Sequence, residues 1–235
     1  MKRINIEQGT IEWHETRYRK IGGTKNKGLF VNSDTLLITL LGDFLEDFED
    51  VDNFTSEAMQ RGNDLEGPAR NELNAYTGLQ FNDAGWLQCE EIPLLGISPD
   101  GITDDDRFSA EIKCFGKDKH TRTIIEDIIP KDHINQCLHY FVINPKLEKH
   151  FFAAFRPENK LVPLFVKSMT RETVLDLGWT KKVEVEVLGK KGTPIKPKIV
   201  TVPDLKTVNE WVVIAKEKAK ELQIDINSAI EGLKF

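Results

Sequence analysis

The chain has 235 residues, of which 40% are apolar and 30% charged, a composition that excludes disorder and fits one large or two small globular domains. Its net charge of −6 leaves no basic footprint of a general nucleic-acid binder, although a nuclease that concentrates acid at its centre needs only a local basic lining. No apolar run reaches the ~20 residues that span a bilayer, no signal-peptide core opens the chain, and Cys89, Cys114 and Cys137 lack metal-like spacing; together these point to a reduced cytoplasm, no membrane and no iron–sulfur cluster.

Glu12 to Arg19 reads as a short helix stopped by Gly22-Gly23. Ser33 to Phe44 is apolar enough for a buried helix, with Ser33 or Asp34 as its cap. Ser56 to Tyr76 is a third helix, with Met59, Leu65, Ala69 and Leu73 as its buried stripe and Gly78 as its stop. Pro68 predicts a kink or break near Gly67. Trp86 to Ile92 reads as a strand. Gly96 to Ile102 and Phe108 to Cys114 read as a hairpin around Thr103-Asp104-Asp105-Asp106. Asp132 to Phe141 is helical, and Phe151 to Phe155 with Leu161 to Val166 make a second hairpin. Hairpins flanked by helices predict an α+β, mixed α/β architecture rather than a repeating βαβ fold.

Beyond Thr170 the pattern changes. Val183, Val185 and Val187 alternate with Glu184 and Glu186 as a half-buried strand. A basic turn, Gly189 to Pro197, returns into a strand from Ile199 to Val202. Thr207 to Leu222 is a helix with Trp211, Ile214, Ala215 and Leu222 on one side, followed by an amphipathic tail from Ile224 to Phe235. The expected division is a core over 1–170 and an appendage over 171–235, a β-hairpin plus helix, packed on the same domain. Two basic groups stand out, Lys113, Lys117, Lys119, His120 and Arg122, then Lys181, Lys182, Lys190, Lys191, Lys196 and Lys198. Most of these lysines read as solvated.

The chemistry concentrates between Ser98 and Cys114. Residues two apart on a strand share a face, so Glu111 and Lys113 point the same way and Ile112 the other. Antiparallel pairing brings Asp100 of Ser98-Pro99-Asp100-Gly101 close to Glu111. Two carboxylates on one surface attract a hard divalent cation; Mg²⁺ takes oxygen ligands and keeps several waters. Asp100, Glu111 and the Ile112 carbonyl are the expected ligands. Lys113 is placed to orient or deprotonate a water, or to steady charge on a phosphate. Glu66 and Arg70, four apart on one helix face, read either as a local ion pair or as Glu66 reaching a second metal. His133 and His139, six apart, fall on different helix faces, which argues against a shared zinc.

These motifs, in this order, resemble the lambda-type phage exonucleases, the YqaJ-like viral recombinase nucleases of the restriction-endonuclease-like superfamily. The resemblance spans Trp13 to Val166. It rests on Trp13-x-x-x-Arg17 with Ile21-Gly22-Gly23-Thr24, Gly62-x-x-x-Glu66-x-x-Ala69-Arg70, Ser98-Pro99-Asp100-Gly101 with Glu111-Ile112-Lys113, and His133-x-x-Gln136-x-x-His139. The chain departs from the family at Thr24-Lys25, where Ser-Asp is usual, and after Thr170, which does not read as the long family helix.

The resemblance implies a restriction-endonuclease-like core and a Mg²⁺-dependent 5′→3′ exonuclease, with Mn²⁺ able to substitute. The substrate would be the end of linear double-stranded DNA, leaving a 3′ single strand for phage-type recombination. It further implies that Asp100, Glu111 and Ile112 hold the catalytic metal, that Glu66 lies near a second, and that Lys113 acts on the water. Gln136 would position the Lys or the water, and Arg17 would bind the 5′-terminal phosphate, for which an Arg fork is well suited. A single-strand annealing protein, a homo-oligomer such as a trimer, and the host-cell cytoplasm are the implied partners and setting. The rivals are an endonuclease or defence nuclease on the same fold and a catalytically decayed DNA-binding protein; the intact Asp100, Glu111 and Lys113 argue against the last.

Overall fold

The computed structural model describes residues 1–31, 34–49, 56–188 and 194–233. In chain order the elements are β1 (Lys2–Ile4), α1 (Ile11–Arg17), a 3-10 turn (Asn26–Phe30), α2 (Thr35–Leu45), α3 (Glu57–Thr77), β2 (Trp86–Gln88), β3 (Gly96–Ile97), β4 (Gly101–Ile102), β5 (Phe108–Lys113), α4 (Lys117–Glu126) and α5 (Lys131–Ile143). They continue with β6 (Lys149–Phe155), β7 (Leu164–Thr170), β8 (Val174–Leu175), β9 (Thr180–Leu188), β10 (Pro194–Pro203), β11 (Lys206–Thr207) and α6 (Val208–Gly232).

The central sheet has the order β4-β5-β6-β7. β4–β5 and β6–β7 are antiparallel pairs, whereas β5 and β6 run parallel, with Glu111 beside Phe152. Parallel neighbours need a long crossover, and α4 with α5 supplies it. The mixed architecture matches the expectation; the parallel join between the two hairpins is new. One face of the sheet packs Ala110, Ile112, Ala153 and Phe155 against Ala69 and Leu73 of α3. The other turns Phe152 and Ala154 into the larger core with Cys137, Leu138 and Phe141 of α5 and Trp211 of α6.

Local chemistry explains most boundaries and several differences from the sequence reading. α1 ends at Arg17, short of Arg19, because Arg19 adopts a left-handed φ of 60°. α2 is not buried throughout. Leu36 and Leu40 face the core, while Ile38 is 64% exposed. The Ser33 cap lies outside the described residues, and the Asp34 side chain makes no capping bond. The α3 helix is capped by Ser56, whose side chain accepts the Met59 N–H, and closed by Gly78 at φ 70°. It passes through Pro68 without a break. Pro68 and Asp64, whose carbonyl loses its partner, are solvent-exposed, while Ala69 and Leu73 anchor the inner face. Met59, expected in the stripe, is 55% exposed.

β2 is shorter than the expected strand and ends at Gln88, and β7 begins only at Leu164, leaving Leu161 exposed. Gly96 on β3 lies beneath Trp86, whose ring a Cβ there would meet at 2.1 Å. α6 is one 25-residue helix rather than a helix and a separate tail. Its start is a capping box between Thr207 and Glu210, and Leu222-Gln223-Ile224-Asp225-Ile226 contains no breaker. Residues 189–193 of the predicted basic turn, Lys190 and Lys191 among them, lie outside the described residues, as does Phe235. Among the described residues no helix is long and apolar enough to cross a membrane.

Candidate active site

Ser98-Pro99-Asp100 marks the step from one sheet to the next. β3 pairs with β2, and β4 pairs with β5. The predicted hairpin is therefore split, at a Pro that has no N–H to give a ladder. With Gly101 opposite Ala110, Asp100 comes beside Glu111. Asp100 Oδ2 accepts the Ile112 N–H at 2.7 Å, which ties its carboxylate to β5.

Glu111 and Lys113 share a face as expected, and Ile112 enters the α3 side of the core. Glu111 is fully buried. The Tyr140 hydroxyl donates to its Oε2 at 2.8 Å. Lys113 Nζ pairs with its Oε1 and lies 3.6 Å from Asp100 Oδ2. Burial, then the charge of Asp100, push the Glu111 carboxyl up from its ordinary range. Burial disfavours the Lys113 ammonium, but Asp100 and Glu111 outweigh it and raise its pKa.

Arg70 donates from Nη2 to Glu66 Oε1 and from Nε to the Asp100 carbonyl at 2.7 Å. The pair is thus more than a surface bridge, because it straps α3 to the entry of β4. Glu66 is pushed up to about 7, by burial first and by Asp100 second, against the pull of Arg70.

The other two predicted residues stand on flanking helices. Gln136, on α5, packs over Gly23, where a Cβ would lie 3.0 Å from Gln136 Cγ. Arg17, at the end of α1, stacks on Trp13 with its guanidinium carbon 3.8 Å from the ring centre. Trp13 Nε1 donates to Ser98 Oγ at 2.7 Å, so α1 is fastened two residues before Asp100. Among the described residues no carboxylate forms a salt bridge with Arg17; burial alone lowers its pKa.

Sequence reasoning missed Tyr140 and the Trp13–Ser98 bond. Tyr140 stands in the buried run Leu138–Ile143, where a phenol needs a partner; that is the signal for it. Nothing in the sequence pairs Trp13 with Ser98.

The donor set suits a hard cation. Asp100 and Glu111 offer carboxylate oxygens, and the buried Glu111 Oε1 faces the Lys113 ammonium. Among the described residues no three His, Cys, Asp or Glu side chains form a metal cage. Two carboxylates and a carbonyl leave room for the waters that Mg²⁺ retains. Zinc chemistry does not fit. His139 Nε2 lies 3.1 and 3.0 Å from the Ile21 and Gly96 carbonyls, whereas His133 faces Lys119.

A family profile for the YqaJ-like viral recombinase domain matches residues 12–145. Among solved structures, an alkaline exonuclease from Laribacter hongkongensis is similar at 18% identity and a TM-score of 0.66, over 96% of each chain. The same enzyme in complex with dAMP gives a TM-score of 0.64 at 18% identity, again over 96% of each chain. A phage-related exonuclease from Haemophilus somnus gives 0.50 at 11% identity, over 99% of this chain and 98% of that one. No curated protein gives a significant match. At these identities the likeness establishes the fold, the restriction-endonuclease-like core with a mixed sheet between helices.

Proposed function

The chain belongs to the YqaJ-like viral recombinase family, and from that premise we propose that it is a Mg²⁺-dependent exonuclease that digests one strand of linear double-stranded DNA. The observation that carries this reading is the convergence of Asp100, Glu111 and Lys113, with Lys113 in contact with both carboxylates. Asp100, Glu111 and the Ile112 carbonyl would hold the metal, Glu66 would serve a second metal or its waters, and Mn²⁺ would substitute for Mg²⁺. When bound, the metal supplies Lewis-acid activation of the attacking water and of the leaving oxygen.

The chain's own groups do the rest. Lys113, paired to two carboxylates, is held as an ammonium. It therefore acts as a donor that orients the water and steadies the charge growing on the phosphate, rather than as a base. The water oxygen bonds to phosphorus as the bond to the 3′ oxygen breaks; the water's proton passes to solvent, the 3′ oxygen takes a proton and leaves as the hydroxyl of the released mononucleotide, and the new 5′-phosphate stays on the shortened strand. Arg70 keeps Asp100 and Glu66 in register. Gln136, one turn below Tyr140 on α5, positions Lys113 or the water. Arg17 is half-buried, has no carboxylate partner among the described residues, and is held on Trp13 beside Ser98, which suits it to a terminal phosphate.

The reading extends to polarity, partners and setting. The direction is 5′→3′, and the 3′ strand left behind passes to a single-strand annealing protein in phage-type recombination in the host cytoplasm. A homo-oligomer, such as a trimer, encloses the DNA. Exposed apolar side chains on α2 (Ile38, Leu45) and α6 (Val213, Ile224) support such contacts.

Linear duplexes labelled at either end of a strand, bearing 5′-phosphate or 5′-hydroxyl, test the direction when incubated with Mg²⁺. The expected result is early release of 5′ label and faster digestion of the phosphorylated substrate, a preference that Arg17→Ala removes. Early release of 3′ label contradicts the polarity. An unchanged preference in the variant contradicts the role of Arg17.

A further inference from the structure

Glu111 is fully buried, and its two oxygens have different surroundings. Oε2 accepts the Tyr140 hydroxyl at 2.8 Å. Oε1 meets the Lys113 ammonium, which also lies 3.6 Å from Asp100 Oδ2. The phenol is itself held from several sides. Its hydroxyl lies 3.2 Å from the Ala110 carbonyl oxygen. Its ring stacks on His150 at 4.2 Å between centres, and His150 Nδ1 is 2.8 Å from Ser109 Oγ. Ser109, His150, Tyr140 and Glu111 thus form a continuous buried chain across β5, β6 and α5. Burying a phenol and a carboxylate is costly unless each is bonded. Here they satisfy one another, and the oxygen left over is on the side of Lys113 and Asp100.

We propose that Tyr140 is a positioning residue for the metal site, holding Glu111 Oε2 so that Oε1 alone is presented as a ligand. The proposal rests on the reading of Asp100 and Glu111 as metal ligands. A carboxylate free to turn would offer either oxygen, or both. Mg²⁺ demands a near-ideal octahedron, so a ligand fixed to one oxygen avoids reorganisation on binding. Hydrogen bonds to ligating carboxylates carry about 10–100-fold in metal affinity.

Tyr140→Phe keeps the ring on His150 and deletes only the hydroxyl. Mg²⁺ binding to the DNA-free protein is measured by titration calorimetry, with Glu111→Gln as the reference. The expected result is about tenfold weaker binding in Tyr140→Phe and loss of binding in Glu111→Gln, each compared at equal folded fraction because removing the hydroxyl leaves the buried Glu111 Oε2 without its bond. Unaltered affinity in Tyr140→Phe beside loss in Glu111→Gln overturns the positioning role and leaves the ligand reading standing. Unaltered affinity in Glu111→Gln overturns the ligand reading itself.

A second measurement needs no substitution. Of the three tyrosines, Tyr76 is 68% exposed, Tyr18 is half-buried, and only Tyr140 is buried. Saturating the unaltered protein with Mg²⁺ is expected to give a tyrosine difference band in the near ultraviolet, since the Glu111–Tyr140 bond feels the ligand. A flat tyrosine spectrum at saturation contradicts the proposal, even if Tyr140→Phe fails to fold.

Discussion

Lys113→Ala is expected to lower the rate of strand cleavage by at least about 10²-fold, while the affinity for DNA ends changes little. The ammonium contacts both Asp100 and Glu111, so under the proposed reading it stands where the attacking water and the scissile phosphate meet. Its charge is most useful when negative charge builds on the phosphate, a benefit that falls on the transition state more than on the bound substrate. Under the proposed reading, binding rests instead on Arg17 and on basic residues elsewhere. The variant removes the counter-charge of a buried carboxylate, so it is to be compared at equal folded fraction. Filter binding and single-turnover cleavage on one end-labelled duplex separate the two effects. Undiminished turnover rules out the assigned role; lost binding with normal turnover moves Lys113 to substrate recognition.

Trp211→Ala is expected to destabilise the whole chain by about 3–5 kcal/mol, close to the cost of emptying a buried Trp site. Trp211 is fully buried, edge-on to Trp179 at 5.1 Å and to Phe30 at 5.8 Å. Around it, Trp179 Nε1 donates to the Phe30 carbonyl at 2.7 Å, and Lys216 pairs with Glu91 at 2.7 Å. These contacts tie 171–235 to the rest of the chain, and we propose that the two parts unfold as one unit. The expected thermal scan shows one transition, about 10 °C lower in the variant. Two transitions, with the active-site portion unmoved, contradict that single unit.

The convergence of Asp100, Glu111 and Lys113 was legible because a strand has period two. Glu111 and Lys113 had to share a face, and Asp100 had to come near once the turn closed. The crossover helix α5 was legible from its apolar run. The helix α4 was not, since Lys117–Glu126 is polar almost all round and buries only His120 and Thr123. Pro68 misled because a local penalty was outweighed by packing of Ala69 and Leu73. The parallel pairing of β5 with β6 is a tertiary choice that no local pattern encodes. The same holds for Trp13 with Ser98, 85 residues apart, and for Tyr140 with Glu111, 29 apart. Those two bonds, together with the Ile112 N–H to Asp100 and the Arg70 strap, hold the candidate site residues in place.

The central claim, metal-dependent hydrolysis that starts from DNA ends, is tested most directly on one duplex in two forms. The unaltered protein is incubated with Mg²⁺ and either the linear duplex or the same sequence as a covalently closed circle. The predicted result is release of mononucleotides from the linear form alone, stopped by chelating the metal. Cutting of the closed circle contradicts the account and assigns the site to an endonuclease instead.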